Sequence, residues 1–268
     1  MAIFHSPKIV TDGLIFYVDA QNTNSYNIND GVVNNLGKKE TGTNFRRLEF
    51  EENTDQGPGG IPPSATTSQI VVTTDNNIKS FFFDGSDYYF QSIGKPMVNM
   101  PSELTYTTWI NHNRSGPLGS TIFCPGTANG GGNINRSWLY IFNNTIQMAI
   151  TDGTQQGYGT YTAYTETNYP LDFNYVVTTC SDNGDGTSTI KIYVNADLVE
   201  TRSDVPVISG RIAGTNEPDV ARGGSSGGQR FSGKIASASM YNICLNQEEI
   251  LRNYVAMRSR FKHPSRIY

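Results

Sequence analysis

Short runs of β-branched and aromatic residues, each closed by Gly, Asn or Asp, recur along this chain, and that rhythm limits what it can fold into. The clearest case starts at Tyr175-Val176-Val177-Thr178-Thr179-Cys180. It passes through Asp182-Asn183-Gly184-Asp185-Gly186 into Ser188-Thr189-Ile190-Lys191-Ile192-Tyr193-Val194. Ile190, Ile192 and Val194 alternate with Thr189, Lys191 and Tyr193, the period of a strand buried on one face. The Gly/Asn/Asp cluster between the two runs predicts a tight hairpin. Asn143-Asn144 predicts a second one, between Trp138-Leu139-Tyr140-Ile141-Phe142 and the run 145–150, because Asn tolerates positive φ.

Further strands are expected over 13–19, 70–72, 80–85, 88–90, 104–110, 121–124 and 233–241. One helix follows the last of them. Asn246 caps it, Glu249 completes a capping box, and Ile250, Leu251, Tyr254 and Val255 form an apolar stripe. Arg252, Arg258 and Arg260 lie towards its carboxyl end, where the helix dipole favours cations. With 268 residues, one sandwich accommodates the whole chain. The expectation is a single all-β antiparallel sandwich over 1–268 with one C-terminal α-helix and a long loop-rich insertion at about 37–67.

Composition narrows the partners. Charged residues make up only 16% of the chain, so its polar surface is built from Asn, Thr, Ser and Gly, and charge-dense disorder is excluded. Phosphate recognition needs clustered Lys and Arg, whereas the net charge here is −4, which argues against nucleic acid. No apolar run reaches membrane-spanning length, so no membrane partner is expected. The opening Met1-Ala2-Ile3-Phe4-His5-Ser6-Pro7 lacks a cationic region followed by an apolar one, and the expectation is synthesis in a reducing cytoplasm without a signal peptide. Cys124, Cys180 and Cys244 are far apart and read as small buried hydrophobes, with neither disulfide nor metal spacing.

The order of pieces is itself informative. A GLIFYVDAQNTNSY opening precedes FFFDGSDYYF and LTYTTWINHN; NADLVETRS and the block FSGKIASASMYNICLNQEEILRNY come later. This order resembles the laminin G-like, concanavalin A-like jelly rolls of tailed bacteriophages from about Asp12 to Phe261. Its most specific parts are residues 83–89 and 231–254. The resemblance implies two antiparallel sheets face to face, with loops at one rim. It also implies a non-catalytic virion structural protein exposed on the particle as a capsid decoration or a tail or fibre component. Its partners would be other virion proteins and further copies of itself. The alternative it implies is an adhesin for host-surface glycan, with a glycoside hydrolase as a remote third.

Catalysis on such a fold needs carboxylates in a Glu-x-Asp-x-Glu order, one to protonate the glycosidic oxygen and one to attack. No such run occurs; Glu49, Glu51 and Glu52 lack the central Asp. His5, His112 and His263 are dispersed and lie beside no nucleophile motif. No cofactor is expected. Asp182 and Asp185 superficially suggest a calcium loop, but Gly184 and Thr187 break the ligand spacing. The resemblance makes Asp84, Asp87 and Asp152 alternative calcium ligands, and nothing in their spacing brings them together. Trp109, mid-strand, reads as core.

Tyr158, Tyr161, Tyr164 and Tyr169, among Gly and Thr, are the candidate glycan or interface residues. Sugar C–H faces stack on flat rings, tyrosines equally suit a protein interface, and cross-strand packing accounts for them as well. Arg258, Arg260, Lys262 and Arg266 are the candidate assembly contact, with a solvated basic tail as the alternative.

Overall fold

The computed structural model describes residues 8–27, 32–33, 36–37, 48–50, 72–85, 90–92, 103–113, 120–124, 136–142, 144–151, 156–165, 168–169, 172–206, 219–223 and 229–262. In chain order the strands begin with β1 (Leu14–Asp19), β2 (Tyr26–Asn27), β3 (Val32–Val33), β4 (Leu48–Phe50), β5 (Val72–Asp75), β6 (Ile78–Asp84) and β7 (Phe90–Ser92). They continue with β8 (Leu104–His112), β9 (Ser120–Cys124), β10 (Arg136–Phe142), β11 (Thr145–Thr151), β12 (Gln156–Tyr161), β13 (Asn174–Asp182) and β14 (Thr187–Val194). The last are β15 (Asp197–Pro206), β16 (Asp219–Val220), β17 (Arg222–Gly223), β18 (Gln229–Arg230) and β19 (Ser232–Tyr241), followed by helix α1 (Gln247–Arg258).

Two sheets result. The first runs β15-β14-β13-β8-β19-β6-β5, with β1 also paired to β19. The second runs β12-β11-β10-β9-β16-β7-β4-β3-β2, with β17 and β18 attached beside β9. Their inner faces make one core. Tyr106, Ile110, Val176, Ile190, Ile192 and Val194 of the first sheet belong to the same buried cluster as Ile122, Leu139, Ile141, Ile146, Met148 and Ile150 of the second. The alternation read in β14 is therefore the inter-sheet face.

The first sheet has a second apolar face, and α1 covers it. Trp109, Tyr175, Val177, Tyr193 and Ala236 form a separate buried cluster with Ile250 and Tyr254 of the helix and with Phe261 beyond it. Trp109 is 1% exposed. It stacks on Phe261 at 4.1 Å and on Tyr254 at 5.7 Å, with Tyr175 tilted against it at 5.1 Å. The helix begins as its sequence predicts: the Asn246 side chain accepts from the Glu248 and Glu249 backbone N–H groups, and Glu249 accepts from Asn246 N–H.

Both expected hairpins form. β10 and β11 close on Asn144, whose φ is 62°. β13 and β14 close through a turn in which Asp182 accepts from Gly184 N–H, and Asp185 accepts from both Thr187 N–H and the Thr187 hydroxyl. Of the expected insertion, only Gly37 and β4 lie among the described residues, and β4 bridges β3 and β7 in the second sheet. Among the described residues no helix is long and apolar enough to cross a membrane.

Candidate functional site

The sandwich is asymmetric, and the asymmetry locates the candidate site. α1 covers the outer face of the first sheet, while the outer face of the second carries a row of half-buried polar and aromatic side chains. On β10, Leu139 and Ile141 point into the core, so the pleat turns Trp138 and Tyr140 to the opposite face. On β11, Ile146 and Met148 point in, and Gln147 faces out. The register places Gln147 directly across from Tyr140 and Ala149 directly across from Trp138.

The Trp138 and Tyr140 rings lie 6.4 Å apart at 39° to one another. The Tyr140 hydroxyl donates to Gln147 Oε1. That bond orients the amide and leaves its Nε2 hydrogens as donors beside the two rings. Ala149, small and buried, sits flush between β10 and β12, where it pairs with Tyr158. The arrangement sets two half-buried aromatic rings beside an oriented amide, side chains of the kind that stack on a sugar ring and read its hydroxyls. The signal in the sequence is the alternation of Trp138 and Tyr140 with Leu139 and Ile141 along β10, which by itself marks a strand and not which face is exposed.

Three of the candidate tyrosines, Tyr161, Tyr164 and Tyr169, meet at the β12 edge. Tyr161 and Tyr169 share a hydrogen bond of 2.9 Å between their hydroxyls, and their rings meet edge-on at 6.2 Å. Tyr164 lies 5.4 Å from Tyr169 and is 1% exposed, within the inter-sheet core, so its ring presents no face to a ligand. Tyr161 and Tyr169 are half-buried against that core. Burial, reinforced by the bond with Tyr161, holds the Tyr169 phenol well above its usual range. The Tyr158 backbone is in β12, and its side chain lies outside the described residues.

The basic candidates divide. Arg260 turns inward, pairing with Asp19 at 2.7 Å and donating to the Lys79 carbonyl at 3.2 Å. Its side chain is 17% exposed and that of Asp19 9%. Arg258 is half-buried in the last turn of α1, Lys262 is exposed, and Arg266 lies outside the described residues. Among the calcium candidates, Asp84 is exposed at the end of β6, and Asp87 and Asp152 lie outside the described residues. Among the described residues no group of three or more His, Cys, Asp or Glu side chains is placed to hold a metal ion.

Two facing antiparallel sheets, one capped by a helix and the other bearing aromatics outward, define a lectin-like jelly roll. The chain belongs to the concanavalin A-like lectin/glucanases superfamily, whose family model matches residues 84–251. Solved structures share the shape at low identity. The CBM40 of Ruminococcus gnavus IT-sialidase, bound to α2,3-sialyllactose, superposes with a TM-score of 0.51 and 16% identity over 68% of this chain and 97% of its own. Domain 4 of AbnA, a GH43 extracellular arabinanase from Geobacillus stearothermophilus in complex with arabinotriose, gives 0.54 and 14% over 91% of this chain and 100% of its own. The receptor-binding domain of botulinum neurotoxin D gives 0.54 and 13% over 91% of this chain, which spans 52% of that structure. A comparison with curated sequences finds no match.

Proposed function

We propose that this protein is a non-catalytic carbohydrate-binding module that holds glycan on the outer face of its second sheet. The observation that carries this reading is the Trp138–Tyr140 pair with Gln147 oriented beside it, on the face α1 does not cover. The fold neighbours support it: two were solved with a bound oligosaccharide, and the third is named a receptor-binding domain. The lack of a Glu-x-Asp-x-Glu run in the sequence supports binding without cleavage.

The setting we propose is the outside of a phage particle, as a capsid decoration or a tail or fibre component present in many copies. This rests on the family resemblance of the strand order and of the terminal block 231–254. Multiple copies would convert weak single-site sugar binding into firm attachment. Tyr161 and Tyr169, at the β12 edge on the core side of the sheet, then meet a neighbouring copy, and the exposed Lys262 belongs to the contact with the particle.

On a glycan array, the wild-type protein is expected to bind a defined set of polysaccharides. Trp138→Ala is expected to weaken that binding by about tenfold or more with an unchanged circular dichroism spectrum, because one stacked ring carries a large share of sugar affinity. Undiminished binding by the variant would remove the site. Release of reducing ends from a bound polysaccharide would remove the non-catalytic reading, and absence of the chain from purified particles would remove the setting.

A further inference from the structure

A cleft of about 390 Å³ opens elsewhere on the molecule, between the loop 20–25 and the β5–β6 hairpin. Its floor is apolar, made by Ala20, Tyr26 and Val72, with the Tyr26 ring held edge-on to Phe81 at 5.8 Å. Its rim is polar: Gln21 and Thr23 on one side, Thr74 and Lys79 on the other. A volume of this size takes a monosaccharide, and an apolar floor under hydroxyl and amide groups suits the two faces of a pyranose.

The walls are fixed before any ligand arrives. Asp19 N–H donates to the Ser25 hydroxyl at 3.0 Å, and the Asn22 carbonyl accepts from Ser25 N–H and Tyr26 N–H. Gln21 Oε1 accepts from Lys79 N–H at 3.3 Å, joining the loop to the hairpin. The hairpin itself turns on Asn76 and Asn77, with φ of 49° and 69°.

Charge selects the ligand. Two cations near the cleft are already matched: Lys234 pairs with Asp75 at 2.7 Å, and Arg260 pairs with Asp19. Among the described residues Lys79 has no carboxylate partner, and none of those lining the cleft is acidic. The cleft therefore presents one uncompensated ammonium at the edge of a sugar-sized hollow. We propose that it binds a carboxylate-bearing sugar residue, with the acid group on Lys79 Nζ and the ring hydroxyls on Gln21, Thr23 and Thr74. It is a second site, independent of the Trp138 face. Six strand steps along the second sheet separate β2, which contributes Tyr26, from β10, on the order of 30 Å at the usual spacing.

The test is a titration of the ¹⁵N-labelled full chain with sodium D-glucuronate and, separately, with D-glucose, following amide resonances. Glucuronate is expected to shift Gln21, Thr23, Thr74 and Lys79, with glucose weaker by about tenfold, the value of one charge-assisted hydrogen bond. Lys79→Gln should abolish the preference for the acid, Lys79→Arg should keep it, and added salt should reduce it. Trp138→Ala should leave the cleft titration unchanged, so failure of one site does not imply failure of the other. Equal shifts with the neutral sugar, no shifts at these four amides, or a Lys79→Gln variant that titrates like wild type would overturn the proposal. Loss of the cleft shifts in Trp138→Ala would overturn its independence.

Discussion

One residue that sequence patterning passes over joins both ends of the described chain. Asn253 lies in α1 and is 3% exposed. Its Oδ1 accepts from Val10 N–H at 2.7 Å, and its Nδ2 donates to the Tyr241 hydroxyl at 3.1 Å. That hydroxyl donates in turn to the Val10 carbonyl at 3.1 Å, closing a buried triangle across three segments. Asn253→Ala leaves a buried backbone N–H without its acceptor and is expected to cost about 2–3 kcal/mol, read as a lower urea midpoint at an unchanged slope. The apolar stripe Ile250, Leu251, Tyr254, Val255 was legible because its partners are a helical turn away. Asn253 was not, since an amide in a helix reads as surface until partners 243 and 12 residues distant are known.

At the scale of elements, β19 does the most. One edge pairs with β8 over its length, while the other pairs first with β6 and then with β1. The change of neighbour coincides with a bulge: Ile235 faces Ile110 and Ser237 faces Trp109, leaving Ala236 as the extra residue, its carbonyl taken by Ala20 N–H at 3.0 Å. Just before it, Gly233 has φ +138°, and a Cβ there would stand 2.2 Å from the Asn111 carbonyl oxygen. Gly233→Ala is expected to destabilise by at least about 3 kcal/mol, seen as a depressed thermal midpoint, because the added methyl meets backbone that cannot swing aside and the φ is one Ala rarely adopts. The element pattern shows where local reading stops. The Asn144 and 182–186 turns carry their own chemistry in their residues. The β14–β15 turn instead places Ala196 at φ 68°, a conformation Ala rarely adopts. Nearby, Asn195 accepts from Tyr175 N–H and donates to Asn174, contacts on a strand about twenty residues away. In β12 the small size of Gly159 has a reason only packing reveals: a Cβ would meet Ile190 Cγ2 at 2.4 Å.

At the scale of the whole molecule, many of the described tyrosines are buried or half-buried, and this sets the response to alkali. Burial raises the phenol pKa of Tyr17, Tyr169 and Tyr175, and pushes Tyr241 up to about 12. In the unfolded chain these groups ionise near pH 10. Above that pH the unfolded state binds fewer protons than the folded one, so their contribution to stability is complete below about 10 and is lost as pH rises towards the folded values. The more exposed tyrosines should ionise first in a 295 nm titration, and the rest should ionise together with loss of the β circular dichroism signal. Full ionisation of all 15 with the native spectrum intact would contradict this burial.

The first and last described segments come together against α1. Arg252 Nε donates to the Lys8 carbonyl at 2.8 Å, Val10 hangs on Asn253, and Phe261 lies flat on Trp109. A stalk or scaffold joined through either terminus would therefore grip the module from behind. Mounted in that way, the module would keep Trp138 and Tyr140, on the outer face of the other sheet, turned away from the support.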